Sequence, residues 1–286
     1  MTDPQSAETP MTLHARIPAP LARVRQALTD PAAMRVWLAE HAEADLPAGR
    51  YAFWGPTTPE GDAPHQRLLH ADERTLRFAW LLDGEETTTE ILLDDDGPDL
   101  TSVTLTQTHF DFEDVISGKS IRGVLQTYWC LALANLAEYL EGRELTSRVD
   151  FTSSEFRAET VVDASPAEVF ASLVDGEAVT KWFGFPIEIE PRVGGRFAMG
   201  GLDRDPAPAK VLELEPDRRF SLDWGESGVG TWELEGTGGR TRLTLVQSGF
   251  AAERPPYAGW GGMLAGLSEL RRYHEVPNWQ PILSAA

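Results

Sequence analysis

The chain is one pattern written twice, and no other feature narrows its fold as far. TLTQTHF at residues 104–110 returns as TLVQSGF at 244–250. PAGRYAF (47–53) returns as VGGRFAM (193–199), each placing Arg50 or Arg196 after a glycine and before an apolar alternation. Upstream, LHARIPAP (13–20) and FRAETVVDASP (156–166) each read as a short strand with a proline near its end. Each leads into a helix that stops at a tryptophan, Trp37 or Trp182. The spacing between equivalent residues shortens by a few positions from those tryptophans to Gln107 and Gln247, as loops of changing length produce in a duplicated fold.

Each copy closes on a long apolar helix. In IRGVLQTYWCLALANLAEYL (121–140), Leu125, Trp129, Ala132 or Leu133, Leu136 and Leu140 recur at helical spacing, and Gly142 follows as a stop. Trp260, Met263 or Leu264, Leu267 and Leu270 repeat the stripe in the second copy. The intervening segments alternate with a period of two. Leu76, Phe78, Trp80 and Leu82 share a face, as do Phe220, Leu222 and Trp224. So do Val103, Leu105, Gln107 and His109, and in the second copy Leu243, Leu245 and Gln247. Asp83-Gly84, Asp96-Gly97-Pro98 and Gly238-Gly239 mark turns between them. The expected architecture is α+β: two tandem domains over residues 12–142 and 155–275, each a curved antiparallel sheet of about six strands wrapped around its long C-terminal helix.

A length of 286 residues fits two domains, and an apolar content of 42% supplies enough material for two cores. The formal net charge of -20 argues against a nucleic-acid partner, because phosphate backbones repel such a surface. Cys130 is the sole cysteine and lies within a helical pattern, which reads as a structural thiol in a reducing, cytoplasmic setting. MTDPQSAETPMT has no basic region followed by an apolar run, so no signal peptide is expected. No stretch approaches the roughly 20 apolar residues that span a bilayer, so membrane insertion is not expected either.

The helix entry Ser165-Pro166-Ala167-Glu168-Val169-Phe170, the triplet Lys181-Trp182-Phe183, the turn Val193-Gly194-Gly195-Arg196-Phe197, the run Thr244 to Phe250 and the closing helix carry a resemblance. Each half resembles a helix-grip domain of the START-like (SRPBCC) superfamily, and within it the family named for activators of the heat-shock protein 90 ATPase. The second copy matches over about residues 156–275; the first, over about 12–142, matches more loosely, with Pro47-Ala48-Gly49-Arg50-Tyr51 replacing the double glycine. The resemblance implies a deep cavity between long helix and sheet, used in the superfamily for lipids, sterols, polyketides and other apolar molecules. Some members are cyclases or hydrolases, and fold alone does not choose among these roles.

The candidate ligand-binding residues are the inward-facing set. In the first copy they are Phe53, Phe78, Trp80, Gln107, His109, Tyr128 and Trp129. In the second they are Phe197, Met199, Trp224, Trp232, Gln247, Trp260, Met263 and Leu267. Trp37 and Trp182 either rim the cavities or pin helix to sheet. An interior glutamine or histidine must be hydrogen-bonded, which suits a pocket with a few orienting polar groups. His109 has no placeable partner as a general base, and the second copy has Gly249 there. His65 and His70 are five apart on a strand and so of opposite parity, which argues against a two-histidine metal site. Asp111, Glu113 and Asp114 read as a solvated loop ahead of the first closing helix. The Gly-Gly-Arg-Phe turn reads as a tight entry into a strand, with Arg196 paired to a nearby carboxylate. The expected function is cofactor-free binding of a small apolar or aromatic molecule. The alternatives are a chaperone partner stimulating a heat-shock protein 90 homologue, and an enzyme of the cyclase or hydrolase type.

Overall fold

The computed structural model describes residues 10–108 and 121–284. His109 and the acids Asp111, Glu113 and Asp114 lie outside the described residues. The chain divides into two compact units, with the division falling between residues 145 and 153.

The first unit runs β1 (Met11–Ile17), two short helices (Leu21–Thr29 and Pro31–Trp37), β2 (His41–Asp45), β3 (Arg50–Trp54), β4 (Gln66–Ala71), β5 (Thr75–Leu82), β6 (Glu85–Gly97) and β7 (Leu100–Gln107). Its closing helix is Leu125–Glu141. The antiparallel order is β1-β7-β6-β5-β4, with β2 and β3 forming a hairpin of their own. Alternation sets which side chains go inward: Leu76, Phe78, Trp80 and Leu82 of β5 are buried, as are Thr101, Val103, Leu105 and Gln107 of β7. Gly142 ends the closing helix in the left-handed conformation, φ 70°, donating its N–H to the Tyr139 carbonyl.

The second unit repeats this plan: β8 (Phe156–Val162), helices Pro166–Val174 and Gly176–Phe183, β9 (Ile187–Ile189), β10 (Arg196–Met199), β11 (Ala209–Glu215), β12 (Arg219–Asp223), β13 (Val229–Thr237), β14 (Arg240–Ser248) and the closing helix Tyr257–Glu275. Here all seven strands form one sheet, ordered β8-β14-β13-β12-β11-β10-β9. The units differ at one seam. β10 joins β11 through the pairs Arg196–Lys210 and Phe197–Ala209, whereas the Phe53 N–H of β3 donates to the side chain of Gln66, Oε1, at 3.1 Å.

Two sequence expectations need correction. The segment before each tryptophan is two helices, broken at Asp30 and Asp175, whose backbones are extended with ψ of 115° and 118°. Each aspartate caps the second helix, Asp30 accepting from the Ala32 N–H at 2.9 Å and Asp175 from the Ala178 N–H at 2.8 Å. That local bond competes successfully with helix continuation, and Pro31 removes the N–H that continuation needs. The second concerns β4, which carries a bulge between Leu68 and His70 and so breaks the alternation on which the parity of His65 and His70 relied. Each histidine is instead tied to its own aspartate, His65 to Asp62 at 3.0 Å and His70 to Asp72 at 2.9 Å.

Ser165 starts the second unit's helix pair with a reciprocal capping box. Its hydroxyl accepts from the Glu168 N–H, while the Glu168 carboxylate accepts from the Ser165 N–H at 2.9 Å. Replacing Ser165 by alanine is expected to cost about 1 kcal/mol. It should also flatten the acid limb of stability. The Ser165 hydroxyl, then its N–H, holds the Glu168 carboxyl below its ordinary range, so that stabilisation is present above the unfolded carboxylate range and lost as pH falls through the folded value. Urea denaturation at about pH 7 and about pH 4 measures both effects.

Candidate functional site

In the first unit the inward-facing residues meet as a closed cluster of rings. Phe53 lies 5.2 Å from Trp80 and 5.8 Å from Phe78, ring centre to ring centre. Trp80 lies 6.0 Å from Trp129, and Tyr128 5.1 Å from Trp129. Phe53, Phe78 and Trp80 are fully buried and Tyr128 and Trp129 nearly so. Tyr51, which the sequence analysis did not single out, joins them 5.1 Å from Phe78. Burial pushes its phenol well above the ordinary range, with Arg25 opposing the shift.

Gln107 is bonded on every side within this cluster. Its Oε1 accepts from the Thr89 hydroxyl at 2.6 Å and the Trp129 indole N–H at 3.3 Å. Its Nε2 donates to the Thr87 hydroxyl at 3.0 Å and the Thr108 carbonyl at 3.1 Å. The Trp80 N–H has no hydrogen-bond partner among the described residues, a lone donor sealed among rings. Cys130 is only partly covered, yet desolvation around its sulfur pushes the thiol up to about 12, far from nucleophilic use.

Trp37 and Trp182 hold equivalent posts. The Trp37 indole N–H donates to the Ala27 carbonyl at 3.0 Å and that of Trp182 to the Ser172 carbonyl at 2.8 Å, so each ties its helix back to the one before it. Both rings are buried. Gly266 of the second closing helix comes so close that a Cβ there would sit 3.2 Å from Phe183 and 3.3 Å from Trp182. Glycine is what lets that helix approach.

The second unit arranges its candidates differently. Trp260 stacks on Phe156 at 5.4 Å, the planes 11° apart, and Leu267 is also buried. Toward β13, Trp224, Trp232 and Met263 are only half-buried, and Met199 is 40% exposed. Phe197 meets Trp224 edge-on at 5.6 Å. Gly230 faces three of these groups: a Cβ there would lie 3.3 Å from Met263 Sδ, 3.3 Å from Trp224 Nε1 and 3.6 Å from the Trp232 ring. Its cross-strand partner is Gln247, buried at 4% exposure, whose Nε2 donates to the Ser227 carbonyl at 2.7 Å. Gln247 Oε1 and Trp224 Nε1 are both buried and have no hydrogen-bond partner among the described residues. Sequence reasoning missed Gly230 and Ser227: the first emerges only from cross-strand register, and the second acts through its main-chain carbonyl, which no side chain announces.

Among the described residues no group of histidine, cysteine, aspartate and glutamate is placed to hold a metal ion. No described helix is long and apolar enough to cross a membrane. A curved antiparallel sheet gripping one long helix, built twice, defines a tandem helix-grip protein. The chain matches the family described as activator of Hsp90 ATPase homolog 1-like protein over residues 18–141 and again over 163–271, and it belongs to that family. Among solved structures, DynU16 of the dynemicin biosynthetic locus is 20% identical, spanning 93% of this chain and 99% of its own, at a TM-score of 0.37. CalU16 from Micromonospora echinospora is 23% identical over 43% of this chain and 76% of its own, with a TM-score of 0.35. Aha1 from Colwellia psychrerythraea is 19% identical over 43% of this chain and 96% of its own, with a TM-score of 0.38. No curated protein matches the chain.

Proposed function

We propose that this protein binds a small apolar or aromatic molecule, and that binding falls to the second unit. One contrast carries the reading: the first unit buries its interior rings together, while Trp224, Trp232 and Met263 of the second remain half-open to solvent. Half-buried aromatic and thioether groups beside buried polar atoms are the usual lining of a small-molecule site. In the first unit Gln107 and its rings act as a solid core, and ligand contact is assigned to Phe197, Trp224, Trp232, Gln247 and Met263. No cofactor enters this reading, and a chain with one cysteine suits the reducing cytoplasm.

The test is a titration with 2-naphthol followed by tryptophan fluorescence. Saturable binding at one site per chain is expected. Met263→Trp, which sets a bulkier side chain against Gly230, should weaken it by about tenfold or more. Binding that never saturates, or that ignores this substitution, overturns the proposal.

The family description supports a second reading, a partner of a heat-shock protein 90 homologue. Exposed Phe185, Val193, Met199 and Leu212 of the second unit offer apolar surface for such a contact. Faster ATP turnover by a purified chaperone on adding this chain would favour it; unchanged turnover together with saturable naphthol binding would favour the first.

A further inference from the structure

We infer that the second unit's site selects a neutral aromatic molecule carrying a hydroxyl group, held by Trp224 and Gln247; this rests on the ligand-binding reading above. Two buried polar atoms of opposite sense are left over there: the Trp224 indole N–H can only donate, and Gln247 Oε1 can only accept. The amide is not free to turn over, because Nε2 donates to the Ser227 carbonyl at 2.7 Å. A buried polar group without a partner has lost its water and gained nothing in return, so a ligand that satisfies both atoms recovers that cost on binding.

The first unit shows what kind of group fits. Gln107 and Gln247 occupy the same place in the duplicated strand TLTQ/TLVQ, and each has one cross-strand partner on the preceding strand: Thr89 for Gln107, Gly230 for Gln247. In the first unit the Thr89 hydroxyl donates to the glutamine Oε1 at 2.6 Å. In the second that hydroxyl is gone, a Cβ at Gly230 would come within 3.3 Å of the unpartnered Trp224 Nε1, and the glutamine acceptor is unmet. A ligand hydroxyl restores what the threonine supplied: its O–H donates to Gln247 Oε1 while its oxygen accepts from the Trp224 N–H.

The chemistry narrows the class further. A carbonyl would accept from Trp224 and leave Gln247 unmet; a hydroxyl serves both with one atom. The named lining groups, Phe197, Trp224, Trp232, Gln247 and Met263, carry no charge, so a carboxylate would be desolvated without a counter-ion. Half-buried Trp232 and Met263 supply ring and sulfur surface for an aromatic body.

The experiment compares 2-naphthol, naphthalene and 2-naphthoate by calorimetry on the full chain. Wild type is expected to bind 2-naphthol about tenfold or more tighter than naphthalene, and 2-naphthoate more weakly than 2-naphthol. Trp224→Phe and Gln247→Leu should each bring the ratio of 2-naphthol to naphthalene affinity from about tenfold down to about one, whatever each does to naphthalene binding itself. Gly230→Thr, or Gly230→Ser if the threonine variant misfolds by circular dichroism, should abolish 2-naphthol binding by restoring the hydroxyl from within. Equal affinity for 2-naphthol and naphthalene, or tight naphthoate binding, overturns the hydroxyl assignment and leaves ligand binding standing. Failure of all three probes to bind removes the ligand-binding reading and this inference together.

Discussion

Replacing Trp80 by alanine is expected to destabilise the first unit by about 3–5 kcal/mol and to leave naphthol binding by the second unchanged. Trp80 is fully buried on β5, with ring centres of Phe53, Tyr128 and Trp129 at 5.2, 5.8 and 6.0 Å. Removing the indole therefore strips partners from three large rings and leaves a void that none can fill without abandoning its own contacts. The indole N–H makes no hydrogen bond among the described residues, so the loss is one of packing and edge-to-face attraction. Urea denaturation followed by far-ultraviolet circular dichroism reads the stability, and a parallel 2-naphthol titration reads the site. A loss below about 1 kcal/mol, with binding impaired, would mean that these rings surround a ligand and that the two units have been assigned the wrong way round.

The second large effect is expected at Gly195. A Cβ there would lie 2.1 Å from the Glu190 carbonyl oxygen and 2.8 Å from that of Arg192, both main-chain atoms. Those atoms cannot swing aside, because the turn is laced on both flanks. The Gly195 N–H donates to the Arg192 carbonyl, the Glu190 N–H to the Arg196 carbonyl and the Val211 N–H to the Gly195 carbonyl, each at 2.8 Å. Arg196 adds its side chain, Nε to Glu190 Oε2 at 3.1 Å, as the motif in the sequence led one to expect. Gly195→Ala should therefore cost about 3 kcal/mol or more. Gly194→Ala is the control: its φ of +79° strains any side chain, but a Cβ there meets nothing within 4 Å, so about 1–2 kcal/mol is expected. Equal losses at the two positions, measured by urea denaturation, would show that backbone strain and not steric clash governs the turn.

Much of the fold was legible because it follows from short-range rules. The alternation in TLRFAWLL sends Leu76, Phe78, Trp80 and Leu82 inward, and β5 buries all four. Gly142 and the Ser165-Pro166 pair mark a helix end and a helix start, and both do so through bonds within a few residues. The break at Asp30 and Asp175 was missed although its cause is equally local, since an aspartate in a helical pattern can either face solvent or cap a new helix. The bulge in β4 was missed for a different reason: one extra residue is invisible in a periodic pattern until its partner strand is known.

The duplicated sequence by itself determined two units of the same plan, their inward faces and their turns, because period, caps and glycines act over a few residues. Only the tertiary structure decided that the two interiors differ in kind. Gln107 and Gln247 stand in the same words of the sequence, and their fates are set by residues far along the chain, Thr89 across one ladder and Gly230 across the other. Whether a buried amide is satisfied depends on which groups the register carries to within about 3 Å of it, and register is a property of paired strands that no single strand contains.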